Sequence, residues 1–196
     1  MTDHSRLPSG EIAARVRIMP IGLDDWSAVR HLHAASIKRQ VLPFLDADAS
    51  VALSAIAESP EYTEDLQSLN LQAAWLDGHM VGTCGWTASS DLSTSARISG
   101  LFVDPLFVGL GIGRVLVADA EARAEANGYR VFNARATDNA VGFFVALGYE
   151  LTSQGTSLLA GVSVPVTFLR KSPSRTGDIE PVTDAKEDAD TLIGHD

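Results

Sequence analysis

The chain has 196 residues, 45% hydrophobic and 20% charged, which fits one globular domain with a sizeable core and excludes a disordered chain. A formal net charge of −10 excludes the basic stripe of a nucleic-acid binder, and a single cysteine, Cys84, excludes an internal disulfide and a cysteine-built zinc site. No apolar run reaches about 18 residues and no basic-then-apolar leader opens the chain, so a soluble, reducing, cytoplasmic setting without a membrane partner is expected.

Residues 1–12 carry little pattern and read as a flexible lead-in. Ala14–Met19 alternates and predicts a first strand. Asp24 or Asp25 offers a cap for a helix to about Val41, with Trp26, Val29, Leu32, Ser36 and Ile37 at helical spacing and Pro43 ending it. A second helical stretch starts near Asp48. A further short helix starts at Ser59-Pro60-Glu61, a cap, a first-turn proline and a first-turn acid. Leu71–Leu76 and Met80–Trp86 flank Asp77-Gly78-His79, a hairpin signal. A polar loop, Ser89–Ser95, precedes the strand Arg97–Val103, which Pro105 stops.

Gly109, Gly111 and Gly113 then lead into a helix to about Ala126, closed by Asn127-Gly128. Arg130–Arg135 is a strand. Thr137, Asp138 or Asn139 caps a short helix with the stripe Ala140, Phe143, Phe144 and Leu147. Tyr149–Thr152 and Val162–Leu169 form a closing strand pair. From Ser172 the chain holds seven acidic and two basic residues, half the net charge, and reads as a disordered acidic tail over 172–196. The domain between, 13–171, is expected to be α/β (α+β): a single mixed, mostly antiparallel seven-stranded sheet flanked by about four helices.

The glycine loop has a definite chemistry. Without Cβ atoms its backbone turns sharply, and the helix after it begins with unpaired N–H groups at the positive end of a dipole. Such a loop cradles phosphate or pyrophosphate, or it is a tight turn with no ligand. It is not a P-loop, because Gly113 is followed by Arg114-Val115 rather than Lys-Ser/Thr. It is not a dinucleotide fingerprint, which would read Gly-x-Gly-x-x-Gly after the first strand.

Leu101-Phe-Val-Asp-Pro105 with Val108-Gly-Leu-Gly-Ile-Gly113 and Arg114 resembles the acetyl-CoA-binding motif of GCN5-related N-acetyltransferases. Thr137-Asp-Asn-Ala-Val-Gly-Phe-Phe-Val-Ala-Leu-Gly-Tyr149 resembles that family's second motif, and the order and separation of the two also match. The resemblance spans about residues 14–171. It implies that the amides of Val108, Gly109, Leu110, Gly111, Ile112, Gly113 and Arg114 grip the pyrophosphate of coenzyme A. It implies that Phe102 and Val103 pair with the pantetheine arm and that the Val103 amide serves catalysis as oxyanion donor. Asn139 and the face with Ala140, Phe143 and Phe144 would line the far side of the cofactor, in a splay between the fourth and fifth strands.

Three positions depart from the family's pattern. Val108 replaces a usual Gln or Arg, Phe144 replaces a tyrosine that protonates the leaving thiolate, and Ser99 replaces a strand-four glutamate that acts as base. Loss of one acid or base costs on the order of 10²–10⁴ in rate, leaving positioning and oxyanion stabilisation in place. Ser99 remains a catalytic candidate through an ordered water. Cys84 reads as a small core residue, and His31 and His33, two apart on a helix, make no metal pair; no metal is expected.

The expected activity is transfer of an acetyl group from acetyl-CoA to a primary amine of a small molecule or peptide, by direct attack on the thioester. The alternative is an acyl-CoA-binding or regulatory module without turnover. The acceptor pocket would be built from the first two helices, Trp86, Ser99 and residues 158–165. Since relatives are often dimers, a homodimer is a further expectation of the resemblance.

Overall fold

A computed structural model describes residues 9–57, 59–89, 94–159 and 162–172. The acidic tail, save Ser172, lies outside these residues, as do positions 90–93 of the polar loop. Seven strands, β1 (Arg17–Pro20), β2 (Gln72–Leu76), β3 (His79–Ala88), β4 (Ser95–Val103), β5 (Val131–Ala136), β6 (Glu150–Leu159) and β7 (Val162–Lys171), form one sheet in the order β1-β2-β3-β4-β5-β7-β6. Only the β4–β5 pair is parallel. The expected mixed α/β architecture is therefore the one observed.

Six α-helices are described rather than about four: α1 (Ser9–Arg15), α2 (Trp26–Gln40), α3 (Ala47–Ala57), α4 (Pro60–Gln67), α5 (Ile112–Ala126) and α6 (Asp138–Val145). The helix α1 corrects the lead-in reading over residues 9–12; residues 1–8 lie outside the described residues. Ile12 is wholly buried in the core beneath α5, and Arg15 donates twice to the carboxylate of Asp77 in the β2–β3 turn, at 2.8 Å. The first strand accordingly starts at Arg17 rather than Ala14. β6 runs seven residues past the predicted Thr152. Residues 150–156 are exposed, so this outer strand lacks the apolar alternation that reveals a half-buried one.

The sheet buries both faces. On one side Ile112, Leu116, Val117, Ala120 and Ala124 of α5 pack with Ala74, Val81, Ile98, Phe132, Ala134 and Phe144. On the other, α2 and α3 bring Ile37, Val41 and Leu53 against Val162, Val164 and Val166, while Val29 packs with Tyr62, Leu66 and Leu71. The Ser59 hydroxyl accepts from the Tyr62 amide at 3.3 Å, the cap that the sequence predicts for α4. No helix among the described residues is long and apolar enough to cross a membrane.

Candidate functional site

The site begins with a defect in the sheet. β4 and β5 pair over three positions, Ser95–Val131, Ala96–Phe132 and Arg97–Asn133. Beyond them β5 stays on β7 and β4 stays on β3, so the parallel strands part. The bend has a local cause. Thr83 opposes Phe102 and Gly85 opposes Ser99, so two β4 residues, Gly100 and Leu101, face Cys84 alone. Gly100 sits at φ +65°, the left-handed region that a bulge of this kind demands and that a Cβ penalises. The splay expected between the fourth and fifth strands is thus present.

A buried chain of hydrogen bonds holds the bulge. Thr83 Oγ1 donates to the Gly100 carbonyl at 2.8 Å. With its one hydrogen spent, it must accept from His33 Nε2 at 2.7 Å. His33 Nδ1 then accepts from the Tyr62 hydroxyl at 2.9 Å. His33 is wholly buried, its ring centroid lies 4.2 Å from that of Phe102, and burial pulls its pKa down to about 3. It is neutral at physiological pH and cannot serve as a base there. Burial likewise pushes the Cys84 thiol up to about 12, which fits a core residue and not a nucleophile.

The end of β4 is turned toward the gap. The Asp104 amide donates to the Val81 carbonyl at 3.0 Å, which makes Gly82–Val103 a non-hydrogen-bonded antiparallel pair. The peptide groups of Val103 therefore point away from β3. Its carbonyl accepts from Ser36 Oγ at 2.9 Å and Gln40 Nε2 at 3.0 Å, both on α2. Its amide is left facing the gap. Asp104 then caps the turn Pro105–Phe107 by accepting from the Leu106 amide at 2.8 Å.

The glycine loop follows. Gly109 and Gly111 stand at φ +83° and +85°, and Gly111 is the left-handed residue that opens α5. The amides of Gly109, Gly111, Ile112 and Gly113 donate to no acceptor among the described residues, so a cluster of N–H groups sits at the N-terminus of a 15-residue helix. Val108 and Arg114 are exposed, whereas the Ile112 side chain is buried, so Ile112 offers its amide alone. A Cβ at Gly113 would meet the Phe143 ring at 3.2 Å, which sets the loop against α6.

A cleft of about 300 Å³ fills the splay. Its wall includes Ser99 and Phe102 from β4, Thr137, Asn139 and Phe144 from the β5–α6 side, Gln40 at the end of α2 with Val41 just after it, and Leu158 and Val164 from β6 and β7. The structure thus brings Ser99, Phe102, Asn139 and Phe144 together, with Val103 and the loop Val108–Arg114 following along the chain outside the cleft wall. Ser99 Oγ accepts from Arg97 Nε at 3.3 Å, and Asn139 Oδ1 accepts from Thr137 Oγ1 at 2.7 Å. Phe144 is 5% exposed, edge-on to Phe143 and Tyr149.

Trp86 is a correction. It packs into the α5-side core against Tyr129, at a centroid distance of 5.2 Å, and does not line the cleft. Sequence reasoning missed His33, Ser36 and Gln40. The available signal was Ser36 on an otherwise apolar helical stripe, where a polar side chain must have a partner.

Comparison with known proteins gives one family. A model of the acetyltransferase (GNAT) domain matches residues 43–161. A GCN5-related N-acetyltransferase structure from Rhodopseudomonas palustris is 25% identical, with a TM-score of 0.69 over 80% of this chain and 94% of that one. The PaiA N-acetyltransferase of Thermoplasma acidophilum, solved with coenzyme A, is 15% identical, with a TM-score of 0.63 over 80% and 98%. A putative acetyltransferase from Salmonella typhimurium, solved with acetyl-CoA, is 17% identical, with a TM-score of 0.57 over 84% and 97%. No curated protein sequence matches the chain.

Proposed function

The chain belongs to the GNAT acetyltransferases, and from that membership we propose an acetyl-CoA-dependent N-acetyltransferase acting on a primary amine of a small molecule or peptide. The observation that carries this reading is the β4–β5 gap, with the Val103 amide opening onto it and the loop of free amides following. Acetyl-CoA supplies an activated acyl carbon and a thiolate leaving group. The amides of Val108–Arg114 bind its pyrophosphate, Phe102 and Val103 pair with its arm, and Asn139 and Phe144 bound the far side. The Val103 amide donates to the thioester oxygen as negative charge builds there. The acceptor nitrogen bonds to the acyl carbon, the carbon–sulfur bond breaks, and the nitrogen's proton passes to water near Ser99. The single buried cysteine suits a reducing cytoplasmic setting.

The direct test is a melting curve with acetyl-CoA and with ATP as control. At 100 times Kd, binding adds about 2.7 kcal/mol. For this chain length that is roughly a 5–10 °C rise, specific to acetyl-CoA. No shift at millimolar ligand would end the reading.

The cleft wall contains no carboxylate and no histidine among the described residues. The amine must therefore arrive already neutral. We expect kcat/KM to climb about tenfold per pH unit up to the acceptor's own pKa, without an inflection near 6.5. An inflection there would reveal an enzymic base. The same lack of a base favours the second reading, an acyl-CoA-binding module without turnover. Thiol release with any member of a broad amine panel eliminates it.

A further inference from the structure

The chain carries a net charge of −10, yet two guanidinium groups, Arg97 and Arg135, line its cleft, and no carboxylate does so among the described residues. Arg135 lies on β5 between Ala134 and Ala136, both buried on the α5 side, so it projects to the opposite face. Its Nη1 donates to Ser157 Oγ at 2.9 Å, and its guanidinium lies 5.6 Å from the Phe168 ring centre. These contacts hold the plane of the group and use one of its five donors. No carboxylate pairs with it among the described residues.

A third arginine reinforces the charge. Arg170 of β7 opposes Asn133, which opposes Arg97, so the three form a row across β7, β5 and β4 next to Arg135. Arg170 Nε is buried without a hydrogen-bond partner. Glu150 opposes Arg170 from β6 but makes no ion pair with it. Arg170 Nε is thus a buried donor without an acceptor, and the exposed Arg135 fork spends one of its five donors on Ser157, so this face can take an anion. The phosphates of coenzyme A do not meet that need, because the amide loop that suits them lies outside the cleft wall, past the turn Pro105–Phe107.

We propose that the acceptor is an amine bearing a carboxylate, an amino acid in the simplest case, and that Arg135 binds the carboxylate. This inference rests on the transferase reading and names its acceptor class. A planar fork beside an aromatic ring matches a carboxylate in two parallel hydrogen bonds. The same positive charge disfavours the ammonium form of the acceptor, which suits a cleft without a base.

The experiment compares α-, β- and γ-amino acids with their carboxamides as acceptors, at saturating acetyl-CoA, by thiol release. The acids are expected to exceed their amides by on the order of 10- to 100-fold in kcat/KM, the yield of one charge-assisted contact. Arg135→Ala should erase that preference while acetyl-CoA affinity stays within about threefold. Arg135→Lys should restore part of it, since it keeps the charge and loses the fork. Arg135 is exposed, so these variants should fold.

Equal turnover of acid and amide overturns the inference, as does an acid preference that survives Arg135→Ala. A parallel loss of acetyl-CoA affinity would assign the guanidinium to the cofactor and also overturn it. If acetyl-CoA binds but no acid is acetylated, this inference alone fails. If acetyl-CoA does not bind the native protein, the transferase reading fails with it.

Discussion

Gly111→Trp is expected to lower acetyl-CoA affinity by on the order of 100-fold or more, read by calorimetric titration. Two effects act together. Gly111 opens α5 at φ +85°, a conformation that costs an L-residue about 1–2 kcal/mol. An indole there would also occupy the space in front of the amides of Gly109, Ile112 and Gly113, where the pyrophosphate is proposed to sit. Gly111→Ala separates the two effects, since it adds the strain with little bulk; it should fold and bind at intermediate strength. Unchanged affinity in a folded Gly111→Trp protein would remove the loop from the binding site and the transferase assignment with it.

The second large effect is on stability against pH. His33 takes up a proton near pH 6.5 in the unfolded chain and near pH 3 in the folded one, because burial disfavours the charged ring. The folded pKa is the lower one, so the unfolded state binds more protons below pH 6.5. The stabilisation is complete above 6.5 and drains away between 6.5 and 3, at on the order of 1.4 kcal/mol per pH unit. By pH 4 the loss is about 3 kcal/mol, a large share of the 5–15 kcal/mol typical of a domain. We expect a steep fall in Tm over that range. His33→Gln offers an amide donor for Thr83 and a carbonyl acceptor for Tyr62 without titrating, so its curve should be flatter. Equal slopes in the two proteins would show that His33 is not the source.

The parts of this molecule that could be read from residue order are those governed by local rules. Ser59-Pro60 announced α4, Asp77-Gly78 announced the β2–β3 turn, and the glycines before Ile112 announced the amide cluster, since each depends on backbone preference over a few positions. The Val103 and Phe144 placements came from two motifs read in order. The hydrogen-bond chain through Tyr62, His33, Thr83 and Gly100 could not be read this way. Its members come from α4, α2, β3 and β4, up to 67 positions apart along the chain, and no spacing rule links them. α1 was missed because a seven-residue helix with one deeply buried side chain, Ile12, has no periodicity to detect. The arginine row was hidden for a related reason. Arg97, Asn133 and Arg170 become neighbours only when the register of three strands is known.

The short β4–β5 ladder also bears on how the protein moves. Main-chain hydrogen bonds stitch β1–β4 into one leaf and β5–β7 into another, and three residue pairs form the seam between them. Further up, side chains bring the leaves together, as where Phe102 of β4 packs into the cluster of Val164 and Val166 of β7. A ligand whose polar arm pairs with Val103 in that opening would act as an extra strand and continue the seam. Its arrival would then be registered as stiffness far from any contact. Amide protons of β7, measured by hydrogen exchange, should slow when the site fills, with the distant β1–β2 pair as the internal reference.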